Sequence, residues 1–182
     1  MEDDLEYQKY LTKVKDSGGW VLEFVPLKHR TFELCEIAVT QTGYALEWVP
    51  EHLKSPELCN IAVNDGNWVL GFVPEELRTK ELCEIAVEKN GWQLQHVPKD
   101  FKTIELCEVA VSNSGWALEF VPEEFKTLEL CKYAIEDCLK WNDNLLRKYE
   151  FENLFEKYVP VEVQEELAEK YDIELPDKDK GR

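Results

Sequence analysis

Residues 86–111 read AVEKNGWQLQHVPKDFKTIELCEVAV. Every landmark in this stretch recurs at one interval. Cys107 has counterparts at Cys35, Cys59, Cys83 and Cys131, each 24 residues from the next. Pro98 is matched by Pro26, Pro50, Pro74 and Pro122, and Trp92 by Trp20, Tyr44, Trp68 and Trp116. A fixed period of this size is the mark of stacked structural repeats. The unit approximates W-x-L-x-F-V-P-E-E-L-K-T-x-E-L-C-E-I-A-V-x-x-N-G, and five copies run from Trp20 to Leu139.

Within one unit, Thr31, Ser55, Thr79, Thr103 and Thr127 precede the E-L-C-E-I-A-V run. Ser and Thr are good N-caps because their oxygens accept from unpaired first-turn amides. Pro56 follows Ser55, and proline suits the first helical position. Glu33, Glu57, Glu81, Glu105 and Glu129 then fall in the first turn, where a carboxylate meets the positive helix end. The helix is expected to stop at Gly43, Gly91 and Gly115 through a left-handed glycine, with Asn67 as the substitute in the second copy. The W-A-L-E-F-V-P half supports two readings. Trp116, Leu118 and Phe120 alternate like a strand, which would give a leucine-rich-repeat-like horseshoe. Trp116 and Phe120 are also four apart, as on a helix, and the low β-branched content favours helix. The expected fold is all-α: a solenoid of five 24-residue helical-hairpin repeats with N- and C-terminal capping helices.

The quoted stretch and its sisters resemble a bacterial and eukaryotic repeat family classified as a domain of unknown function. Its units read roughly A-V-K-Q-N-G-x-A-L-x-Y-A-S-E-E-L-R-x-D. The likeness takes in both halves of the unit and implies paired short helices stacked as a solenoid. It implies no catalytic residue. The chain departs from the pattern in having V-P where A-S is commoner, and a cysteine in the core helix; the proline should sharpen the bend between segments.

Residues 1–19 are expected to form the N-terminal cap, with Tyr7, Tyr10, Leu11 and Val14 on one face and Gly18-Gly19 as its end. Residues 140–174 are expected to hold C-terminal capping helices, one running on through Leu139, Trp141, Leu145, Leu146 and Tyr149. A second starts at Pro160, with Val163, Leu167 and Tyr171 inward. Residues 175–182 have nothing apolar to dock and are expected to be disordered.

The cysteine ladder invites disulfides or a metal. Equivalent helices of neighbouring repeats stand about 8–10 Å apart, beyond the reach of a disulfide at about 7 Å. No zinc spacing is present. The ladder thiols are read as small core groups, and Cys138, off the ladder, as the accessible one. Six free thiols suit a reducing compartment, so a cytoplasmic location, or delivery into a host cytosol, is expected. The aromatic ladders fit either a stacking surface or the inter-repeat core, with core preferred. Arg30, Lys54, Arg78, Lys102 and Lys126 form a basic ladder, read as paired with the glutamates of the same and neighbouring repeats.

The 38 acidic and 21 basic residues leave a net charge of −17, which argues against direct nucleic-acid binding. No apolar run approaches a membrane span, and the acidic N-terminus is unlike a signal peptide. His29, His52 and His96 occupy three different repeat positions and form no catalytic set. The expectation is a non-enzyme, without metal or cofactor, that binds a protein partner as a scaffold. The alternative is an acidic nucleic-acid mimic that inhibits a nucleic-acid-binding enzyme. The partner site is placed where copies depart from consensus: Gln93, Gln95 and His96, with Gly71 and Lys99 at the edge.

Overall fold

The computed structural model describes residues 2–139 and 154–171. Among them every regular element is helical. The α-helices are α1 (Glu2–Ser17), α2 (Phe32–Gln41), α3 (Pro56–Asp65), α4 (Lys80–Lys89), α5 (Ile104–Asn113), α6 (Leu128–Leu139) and α7 (Val161–Tyr171). Ahead of each of α2 to α6 lie two short 3-10 segments. In the first copy these are Gly19–Phe24 and Leu27–His29. The chain is all-α and solenoid-like, and the expected hairpin is one α-helix opposed by two 3-10 turns.

Local chemistry explains each boundary. The hydroxyls of Thr31, Ser55, Thr79, Thr103 and Thr127 accept from Leu34, Leu58, Leu82, Leu106 and Leu130 amides at 3.2–3.3 Å, so all five N-caps form. Val25, Val49, Val73 and Val121 are extended, as the residue before proline tends to be. Each following proline carbonyl then accepts from the residue three further on, as His29 N–H to Pro26 O at 2.9 Å, and starts the second 3-10 turn. The V-P pair thus separates the two 3-10 turns.

The W-x-L-x-F half is neither strand nor α-helix. Gly19, Val21, Leu22 and Val25 are buried while Trp20, Glu23 and Phe24 are exposed, so the buried side returns with a period of about three residues, as suits a 3-10 turn. It overlaps both a period of two and one of nearly four over so few residues. The core of each copy is therefore Leu, Val, Cys and Ala: Leu22, Val25, Leu34, Cys35, Ala38 and Val39 in the first. A leucine or valine fully buried this way contributes about 1.5–3 kcal/mol.

The glycines act differently from expectation. Among the described residues only Gly18 has a positive φ, at 99°. Gly43 and Gly115 are needed for close approach: a Cβ would stand 2.1 Å and 2.4 Å from the carbonyl oxygens of Ala62 and Ala134 in the next α-helix. Where Asn67 occupies this place, the 3-10 segment shrinks to Leu70–Phe72, because a side chain cannot enter that contact.

The described residues fall into two compact units. The first comprises residues up to Lys89 with His96–Phe101, the second Asn90–Gln95 with residues from Lys102 on. In the first, α1 packs on α2, α2 on α3 and α3 on α4. Tyr7, Tyr10 and Leu11 are half-buried and Val14 fully on α1. In the second, α5 packs on α6 and α6 on α7. Residues 154–158 are also helical, and the buried Gln164 amide donates to Val159 O at 2.9 Å behind them. Leu167 is buried and Val163 half-buried on α7. The expected helix through Trp141, Leu145, Leu146 and Tyr149, and the tail 175–182, lie outside the described residues.

The basic ladder does not seek the first-turn glutamates. It crosses to the next repeat and meets the carbonyl that ends its first 3-10 segment. Arg30 donates to Trp48 O at 2.6 Å, Lys54 to Phe72 O at 2.8 Å, and Arg78 to His96 O at 2.8 Å. Lys102 does the same to Phe120 O at 2.9 Å. Lys54 and Lys126 also pair with Glu51 and Glu123 of their own repeats. A cation at the carbonyl end of a helical turn satisfies orphan acceptors and complements the dipole.

Candidate functional site

With aliphatic side chains and thiols filling the core, the aromatic ladder divides: Trp48, Phe72, Trp92, Trp116 and Phe120 are half-buried, while four rings of the first three copies are exposed. Trp20 is 53% exposed, Phe24 64%, Tyr44 44% and Trp68 51%. The rings meet edge to face: Trp20 on Phe24 at 6.0 Å, Tyr44 on Trp48 at 5.6 Å, and Tyr44 on Phe72 of the next copy at 5.1 Å. In the second unit Trp92 meets Phe120 at 5.8 Å. Monomeric domains seldom leave such groups in a contiguous patch without a use for them. Acids border the first patch: Glu47 beside the Tyr44 hydroxyl, helped by burial and Glu23, pushes that phenol's pKa up.

The patch deepens in the first unit. Thr42, Tyr44, Asp65, Gly66, Asn67, Trp68, Val69, Phe72 and His96 line an open groove of about 520 Å³. Its origin is in the sequence. Asn67 replaces the close-approach glycine, so the chain turns at Asn67-Trp68 instead of winding on. Gly71 stands where other copies have Glu or Gln, and the His96 ring takes the space. A Cβ on Gly71 would be 2.9 Å from His96 Nε2. Burial, with the Arg78 charge, holds the His96 pKa below its usual value and favours the neutral ring. Asp65 Oδ2 accepts from the Gly43 amide at 2.7 Å, which holds the carboxylate at the groove wall.

The predicted partner residues separate. Gly71 and His96 touch and belong to the groove. Lys99 is exposed in the same unit. Gln95 is exposed in the second unit, its amide donating to Trp92 O at 3.1 Å. Gln93 is 1% exposed and occupies the core position of Val21 and Ala45, so it presents nothing to a partner. Tyr44, Asp65, Trp68 and Phe72 were not singled out from the sequence. The Asn67 and Gly71 departures, taken together, were the available signal.

Two other clusters carry less. Donor atoms of Asp3, Glu6 and His29 lie within 4.8 Å of one another. Lys28 Nζ already sits 2.9 Å from Asp3 and 3.4 Å from Glu6, and His29 Nε2 is 3.1 Å from Glu6. These pairs tie α1 to the first repeat. The six cysteines are all buried, Cys138 included, which corrects its reading as an accessible thiol. Burial pushes the ladder thiols up to about 11 and Cys138 to about 12. Among the described residues no helix is long and apolar enough to cross a membrane.

A family model described as Domain of unknown function (DUF4116) matches residues 55–102 and again 79–126, two windows offset by one 24-residue unit. No curated protein and no solved structure matches the chain. Over residues 55–126 the chain is similar to that family.

Proposed function

We propose that the chain is a non-enzymatic interaction module that binds a protein partner through the aromatic face of its repeats. The observation that carries this is the exposure of Trp20, Phe24, Tyr44 and Trp68 on a chain whose core is complete without them. Aromatic side chains are the residues most often found as anchors in protein interfaces. Solenoid repeats commonly use an extended surface in this way. The acidic-mimic alternative draws on the net charge of −17 alone and leaves the exposed rings without a role. A reducing, cytoplasmic setting accords with six unpaired thiols.

The test is a pull-down from the native cell at low and high salt, with wild type beside the double variant Trp20→Ala/Phe24→Ala. Both rings are exposed, so the variant should fold. A partner held at both salt levels by wild type, and lost from the variant, is the expected result. A partner held equally by both proteins and released by salt would favour the mimic.

A further inference from the structure

The groove beside Trp68 has a chemistry more definite than an apolar patch. We infer that it receives an arginine or lysine side chain carried on a basic peptide segment, seated among Tyr44, Trp68 and Phe72 with Asp65 as counter-ion. This rests on the interaction reading above and names the partner's chemistry.

Five observations support it. Tyr44 and Phe72 stand at 89°, so the groove offers a ring face and a ring edge in a corner. A cation within about 6 Å of a ring face is attracted by its quadrupole, and arginine is the commoner partner. The described lining holds one carboxylate, Asp65, and no Lys or Arg. Arg78 is turned onto the carbonyls of Val73 and His96 at 2.9 and 2.8 Å, and with burial it favours the neutral His96 ring. The volume, about 520 Å³ and open, suits a stretch of chain with its side chain better than a lone small cation. The charge agrees: the second copy, which supplies Tyr44 and Asp65, carries one Lys against four Asp and Glu.

The experiment is titration of the full chain, followed by tryptophan fluorescence and calorimetry, with acetylated, amidated peptides of alternating Arg and Gly. Lys–Gly and Glu–Gly counterparts and tetramethylammonium serve as comparisons. The Arg peptide should bind, the Lys peptide more weakly, and the Glu peptide not at all. Trp68→Ala and Tyr44→Ala leave the net charge unchanged, and each should weaken binding roughly tenfold. Asp65→Asn should weaken it by several-fold while keeping side-chain volume; circular dichroism verifies folding of each. Equal binding of the Arg peptide by wild type and Trp68→Ala would mean diffuse attraction to an acidic surface and overturn the proposal. So would tetramethylammonium binding as tightly as the peptide. A partner from the pull-down that the Arg peptide fails to displace overturns the peptide chemistry while the interaction module stands. Failure to retain any partner removes the broader reading instead.

Discussion

A single missing Cβ sets the spacing between copies. At Gly43 a methyl group would stand 2.1 Å from the Ala62 carbonyl oxygen, backbone that cannot swing aside. Gly43→Ala should therefore cost about 1–3 kcal/mol, the usual range for overpacking a tight contact. Gly71→Ala meets only the His96 ring, which can turn, and should cost clearly less. Urea unfolding of the two variants measures this, and equal losses would refute the close-approach account. The sequence marked these glycines by their period but not their purpose. A left-handed turn and a close contact both forbid a Cβ, and only the neighbouring helix tells them apart. The Thr N-caps were legible because their partners lie three residues away. The thiols allow a second check. Their pKa is raised from 9 to about 11, and to about 12 at Cys138, so burial favours the protonated form. The stability they contribute is fully present below pH 9 and is lost as pH rises through 11. Native protein at pH 8 should react with a thiol reagent at none of its six cysteines, and unfolded protein at all six. The melting temperature should fall steeply above pH 9, less so in Cys83→Ala. Rapid native labelling of several thiols would contradict the core assignment.

In the second to fifth copies the first 3-10 segment is held at its end by a cation from the preceding repeat. Lys102 donates to Phe120 O at 2.9 Å, while burial lowers the lysine's pKa. Lys102→Met keeps the stem but leaves a part-buried carbonyl without its donor, at a cost of about 1–3 kcal/mol. Lys102→Arg should be nearly neutral, because Arg30 and Arg78 serve at the equivalent place. Chemical denaturation of both variants decides. Similar losses would show that the site reads stem packing and not the donated bond. The periodic basic residue was visible in the sequence, but its acceptor lies eighteen residues on, across a repeat boundary, where no local pattern points. The aromatic ladder failed for a related reason. Over five or six residues, periods of two, three and nearly four predict different buried faces, and the 3-10 turn selected the one that leaves Trp20, Phe24, Tyr44 and Trp68 exposed and the other rings half-buried. The groove at Asn67 follows from the same element, since a shortened 3-10 turn is what opens it.

At the scale of the whole chain, charge decides what the local contacts leave open. Arg30, Lys54, Arg78 and Lys102 of the ladder are turned onto backbone carbonyls, and the chain carries a large excess of carboxylates over cations. A net charge of −17 then acts as self-repulsion against the folded state. The opposing contribution comes from exposed pairs such as Lys28 with Asp3 and Lys80 with Glu84. Such pairs are worth at most about 1 kcal/mol, and salt screens them too. Repulsion among many like charges should outweigh these few pairs. Adding sodium chloride from low to near-physiological strength shortens the screening length to about 8 Å and should raise the melting temperature by several degrees. The same addition should loosen a basic peptide bound at Asp65 but leave association through Trp20 and Phe24 largely intact. Salt therefore moves folding and peptide binding in opposite directions, a combination that burial of apolar surface alone does not produce. Parallel differential scanning calorimetry and peptide titration across one salt series measures both. A melting temperature that falls with salt would place the ion pairs, and not the excess negative charge, in control of stability.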